Sequence, residues 1–144
     1  MKVNDKRGTS VAELAFCLPL LLMIVFGIIE FGFILYDKAM ITNASREGAR
    51  TGILFHHPDR ISDGEIITVA TNYCSSYLVN LGSSSSPSVN VTRTGSNSGD
   101  SLTVTVTYSY TFLVFPNLHA LVSGSGGSLP GGITLAAQTV MRLE

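Results

Sequence analysis

Few side chains in this 144-residue chain have the type and spacing to do chemistry. His56, His57 and Asp59 lie together in FHHPDR and carry metal-binding atoms. Adjacent histidines on a helix point about 100° apart, and no third His or Cys stands nearby at ligand spacing, so no metal site is expected. There is no nucleophile elbow and no pair of acids in a cleft context. The Gly-rich stretch 124–132 lacks a following Lys-Ser/Thr and does not open a helix, so it reads as a loop and not as a phosphate cradle. Nothing here points to an enzyme or to a cofactor.

One acid does stand where an acid is costly. The chain begins MKVNDKRGTSVAELAFCLPLLL. Lys2, Lys6 and Arg7 precede Gly8, and Glu13 follows it by five residues at the edge of a long apolar run. A carboxylate near a bilayer core costs about 3 kcal/mol on insertion scales, so it should be kept only for a return. The bland reading is an acid resting at headgroup level.

The element that must position Glu13 is that apolar run. Residues 14–36 read LAFCLPLLLMIVFGIIEFGFILY, 23 residues with one charge. At about 1.5 Å per residue they span roughly 34 Å, enough to cross a bilayer core. A cleaved secretory signal would have a shorter apolar core and a small-x-small site after it. Here DKAMITNASREGAR follows and continues as helix, so a membrane anchor is expected. Lys2, Lys6 and Arg7 argue that the N-terminus stays in the cytoplasm, with Lys38 on the far side partnered by Asp37. Pro19 removes a backbone donor and should kink or loosen the helix. Glu30, nearer the far end, reads as an acid snorkelling or facing a partner helix, because a single span makes no transport pathway. Cys17 and Cys74 then fall on opposite sides of the membrane surface, and no disulfide is expected between them.

The remaining residues suit one small domain. Hydrophobic residues make up 45% and charged residues 13%, which excludes disorder. Net charge is −1, and past residue 36 six Lys/Arg face seven Asp/Glu without a basic stripe, so no nucleic-acid partner is expected. Helical rhythm continues to about Leu54, with Ala44, Gly48 and Gly52 forming a smooth strip that lets another backbone approach. Arg46, Glu47 and Arg50 mark a solvated or partner-facing side. Pro58 breaks the helix.

Ser62 and Glu65 fit a capping box before a second helix. Ile66, Val69, Ala70, Tyr73, Tyr77, Leu78 and Leu81 form its apolar stripe, with Cys74 beside it and Gly82 as the stop. SSSSPS, 83–88, is a flexible connection. Strands are expected over 89–93, 102–112 and 133–142. In the second, Leu102, Val104, Val106, Tyr108, Tyr110 and Phe112 face one way and Thr103, Thr105, Thr107, Ser109 and Thr111 the other. In the third, Ile133, Leu135, Ala137 and Met141 share a face. Pro116 ends the second strand, residues 117–122 suit a short helical turn, and SGSGGSLPGG is a loop. The expected fold is α+β: a long N-terminal membrane helix continuing into a domain whose three-stranded antiparallel sheet lays one face on two helices.

Gly8 followed by four residues and Glu13 resembles the processing motif of type IV prepilins. RGTSVAELAFCLPLLL, then IIEFGFILYDKAMITNASREGAR, resembles the TadE-like proteins, minor pilins or pseudopilins of the tight-adherence (Flp, type IVc) pilus, with weaker support from the C-terminal ITLAAQTVMRLE. The strong resemblance covers residues 7–52. The family pattern reads Val-Glu-Phe at the acid, and this chain has Ala12-Glu13-Leu14. The resemblance implies a leader over 1–8, a transmembrane helix over 9–36 and a periplasmic pilin-like domain over 37–144. It implies cleavage after Gly8 by a prepilin peptidase, Thr9 as the mature N-terminus, and Glu13 as the fifth mature residue. Given the cost of its charge, Glu13 then reads as an assembly residue paired with a neighbour's Thr9 amine. Implied partners are the major Flp-type pilin, a second minor pseudopilin, the inner-membrane platform and membrane lipid. The setting is the bacterial inner membrane, and the related TadF type is the nearest alternative. A rival from another class is an uncleaved single-pass anchor whose periplasmic domain binds a protein partner.

Overall fold

The computed structural model describes residues 6–54 (6–9 as backbone), 60–80, 86–112 and 132–144. His56, His57, Pro58 and Asp59, Leu81 and Gly82, most of the 83–88 connection, Pro116, the 117–122 turn and most of the Gly-rich loop lie outside the described residues.

Helix α1 runs Lys6–Ile53, 48 residues, or about 72 Å at helical rise. It passes through Pro19 without ending. Arg50 in its last turn complements the negative end of the helix dipole. From Ser10 to Ile29 its side chains are exposed, apart from the half-buried Met23 and Gly27. From Glu30 onward one stripe is buried: Glu30, Asp37, Ile41, Ala44, Ser45, Gly48, Ala49 and Gly52. The change marks where the helix leaves the naked segment and enters the head.

Helix α2 runs Asp63–Tyr77. Its start is the expected capping box: the Ser62 side chain accepts from the Glu65 N–H, and the Glu65 carboxylate accepts from the Ser62 N–H at 3.0 Å. Ile66, Ala70 and Cys74 are buried. The helix does not continue to the neighbourhood of Gly82. It stops at Tyr77, with Leu78 extended as the C-cap. Ser75 and Ser76 both turn their hydroxyls onto the Asn72 carbonyl, a competition that weakens the last turn. Tyr77, expected on the apolar stripe, is exposed and leans on Tyr73 with ring centroids 4.7 Å apart.

The sheet has the order β1-β2-β3, all antiparallel, with β1 Ser88–Arg93, β2 Ser101–Thr111 and β3 Gly132–Arg142. The expected register of β2 holds. Leu102, Val104, Val106, Tyr108 and Tyr110 are buried, while Thr103, Thr105 and Thr107 are half-buried and Ser109 and Thr111 exposed. On β3, Leu135 and Ala137 face the core, while Ile133, near the end of the strand, is 38% exposed. One sheet face therefore lies on α1 and α2, and the result is the α+β architecture expected.

The smooth strip on α1 is used within this chain. A Cβ at Gly48 would lie 3.3 Å from the Ala70 Cβ. One at Gly52 would lie 2.5 Å from both Ile66 Cδ1 and Leu102 Cδ2. The backbone approach is thus between α1, α2 and β2. Ser45 supplies a polar link across the same packing, its hydroxyl 2.7 Å from the Thr139 hydroxyl.

Side chains outside the core tie the end opposite the naked helix. Arg93 Nε donates to Asp63 Oδ1 at 2.7 Å, and its Nη2 donates to the Ile61 carbonyl. Arg60 Nη2 donates to the Glu144 carbonyl at 2.6 Å. The Leu143 N–H donates to the Asp100 carbonyl and its carbonyl accepts from the Gly99 N–H, so the C-terminus is clamped to the β1–β2 turn. Gly99 has φ +92°, which its lack of a Cβ permits.

Candidate functional site

The sequence-predicted site residues all lie in the first four turns of α1. Gly8 and Thr9 sit in its opening turn as backbone. Glu13 is seven residues into the helix and exposed, between the exposed apolar side chains Val11, Leu14 and Phe16. Pro19 lies about one and a half turns further on. These residues share one helix end, and Glu13 and Pro19 are exposed there. The arrangement offers a carboxylate in an apolar surface, suited to pairing with a cation brought by another molecule.

A second polar feature lies where α1 enters the head. Glu30 and Asp37 are seven residues apart and so share one helix face. Glu30 is 3% exposed, Asp37 is 0%, and Tyr110 of β2 is 2%. The Val79 N–H donates to Asp37 Oδ1 at 3.1 Å, and Tyr108 Oη donates to Asn80 Oδ1 at 2.7 Å. Asp37 Oδ2 and Tyr110 Oη have no hydrogen-bond partner among the described residues. Burial pushes the Asp37 carboxyl above its usual range, and the Val79 N–H opposes this. Burial also raises the Tyr110 phenol, followed by the charges of Glu30, Asp37 and Tyr108. This cluster clamps the short segment after α2 to the helix.

Two readings are corrected here. Lys38 does not pair with Asp37; its Nζ donates to the Ala136 carbonyl of β3. Neighbours on a helix diverge by about 100°, so the acid turns inward and the amine turns to the sheet edge. Glu30 does not snorkel, because the chain's own head covers it. The signal available in the sequence was the seven-residue spacing of Glu30 and Asp37, in register with the buried stripe through Ile41, Ala44 and Gly48.

Beside the cluster runs an apolar groove of about 350 Å³ lined by Ile29, Gly32, Phe33, Tyr36 and Val79. The four helix positions are spaced i, i+3, i+4, i+7, so they form one face. A Cβ at Gly32 would meet nothing within 4 Å, so the groove is open there. Cys17 is exposed on α1, while Cys74 is buried in the core and its thiol is pushed up to about 11 by burial. Among the described residues no group of three or more His, Cys, Asp or Glu gathers to hold a metal.

Among the described residues one helix is long and apolar enough to cross a membrane, which fits a membrane anchor. No curated protein and no solved structure matches the chain. Residues 8–50, the segment holding Gly8, Glu13 and both acids of the junction, match the family described as TadE-like protein, and over that segment the chain is TadE-like.

Proposed function

We propose that the protein is a minor pilin or pseudopilin of a tight-adherence type IV pilus, made as a precursor and cut after Gly8. The TadE-like match over 8–50 carries this reading, because it begins at Gly8 and takes in Glu13 and the apolar helix that follows. The basic residues Lys2, Lys6 and Arg7 support a cytoplasmic N-terminus and a periplasmic head. A prepilin peptidase at the cytoplasmic face removes residues 1–8. The protein then joins the major pilin, a second minor pseudopilin and the inner-membrane platform. Its role is in assembly, and it performs no reaction of its own.

A glycine before the cut fits this step. A membrane protease must draw the backbone past its catalytic acids, and a side chain at that point obstructs the approach. Mass measurement of the N-terminus in membranes of the native host should give Thr9 as the first residue. Gly8→Val should leave the full-length chain. If wild type retains Met1–Gly8, or if Gly8→Val is shortened as wild type is, the cleavage reading fails and an uncleaved anchor takes its place.

A further inference from the structure

We propose that the head is seated directly on the membrane, with lipid acyl chains of the adjoining leaflet filling the groove between α1 and Val79. This rests on the reading of α1 as a membrane anchor.

The length of naked helix is the first support. Ser10 to Ile29 is the stretch whose side chains are exposed on every face apart from Met23 and Gly27. Its uncharged apolar part, after Glu13, runs from Leu14 to Ile29 and reaches about 24 Å at helical rise, short of a bilayer core of about 30 Å, so the core extends up to the level of the groove. The head begins at the next residue, Glu30. No helical stalk is left to hold the head away from the lipid.

The second support is the way the apolar surface continues. Above Ile29 the head covers one side of α1, burying Glu30 and Asp37 and packing on Phe33 and Ile34. The other side stays exposed and apolar through Phe31, Leu35 and Tyr36. The groove is where this surface turns in under Val79, and none of the described residues that line it is charged. Both carboxyls at this level, Glu30 and Asp37, are buried in the protein. That is the arrangement expected if the outside is lipid, where a carboxylate is costly.

The third support is shape. Gly32 leaves an irregular notch, and Tyr36 places a phenol at its upper edge. A flexible acyl chain fills such a notch, and a tyrosine at the interface keeps its ring in the apolar layer and its hydroxyl near water.

The chain contains no tryptophan, so single-Trp reporters have no background. Full-length variants would be reconstituted in phosphatidylethanolamine–phosphatidylglycerol vesicles with and without bromine on the acyl chains. Leu21→Trp lies in the naked helix, and Val140→Trp lies on the exposed side of β3. Val79→Trp and Gly32→Trp report from the groove; Gly32 has open space around it, so that variant decides if Val79→Trp does not fold. Bromine should quench both groove reporters to an extent comparable with Leu21→Trp and leave Val140→Trp unaffected. Quenching of Leu21→Trp without the groove reporters overturns the seating and leaves the anchor intact. Groove reporters that are unquenched but shielded only at high protein-to-lipid ratio assign the groove to a second copy and also overturn it. An unquenched Leu21→Trp removes the anchor reading and the seating together.

Discussion

Asp37 is fully buried, yet one of its oxygens meets no hydrogen-bond donor among the described residues. Its carboxyl titrates above the ordinary value of 3.8 because burial disfavours the charged form. The folded head therefore holds this proton more tightly than the unfolded chain does. The stability it lends is fully present below the unfolded value and is lost as pH rises through the folded one. The head should resist urea best in mild acid and less as pH rises above about 4. Asp37→Asn keeps an oxygen for the Val79 N–H and removes the charge. It should be more stable than wild type at neutral pH, with a flatter pH profile. Urea melts of detergent-solubilised protein at several pH values would show this, and a variant less stable than wild type at neutral pH would contradict it. Residue-scale partners of this kind were the least legible in the sequence. Asp37 beside Lys38 reads as an ion pair, and only the placement of the segment after α2 reveals the Val79 N–H.

Elements were legible where pattern and cap agree. The alternation of β2 fixes a face because its period matches the pleat. Replacing Val104, which is fully buried, with Asp should cost more than about 4 kcal/mol, as burial of an unpaired charge does. The Ser62–Glu65 box marks the start of α2 because both backbone donors need acceptors. Its end was not legible, since a glycine signal at 82 competes with hydroxyls at 75 and 76 that act earlier. The glycines of α1 yield a sharper test. Gly52→Ala would press a methyl to 2.5 Å from two buried side-chain ends and should destabilise the head by about 1–3 kcal/mol as overpacking does. Gly48→Ala meets its nearest atom at 3.3 Å, and a helix gains about 1 kcal/mol from alanine over glycine, so its net effect should be small. Melting temperatures should rank wild type near Gly48→Ala and both above Gly52→Ala. The reverse order would mean that α1 does not pack on Ile66 and Leu102 as described.

At the scale of the whole molecule, one continuous helix joins an exposed acid at one end to a packed head at the other. Glu13 is exposed among exposed apolar side chains, and we propose that its role lies between molecules. Under the proposed function, cleavage after Gly8 creates an α-amino group at Thr9, about 6 Å along the axis from Glu13. The new helix N-terminus also carries partial positive charge, which lowers the cost of the acid there. Each subunit brings both an amine and an acid, so a neighbour's Thr9 amine can meet this Glu13 when the helices lie in one register. An offset of one turn would leave both charges unpaired in an apolar place, at several kcal/mol for the pair. The acid therefore selects alignment, which apolar helix faces alone specify poorly. Glu13→Ala should insert in the membrane, fold its head and be cut after Gly8 like wild type. It should fail to co-purify with the other pilin subunits and should lower pilus number. Glu13→Gln, which keeps the shape and loses the charge, should fail in the same way. Normal pilus number in either variant, with wild-type recovery of the partner subunits, would show that Glu13 does not set the register.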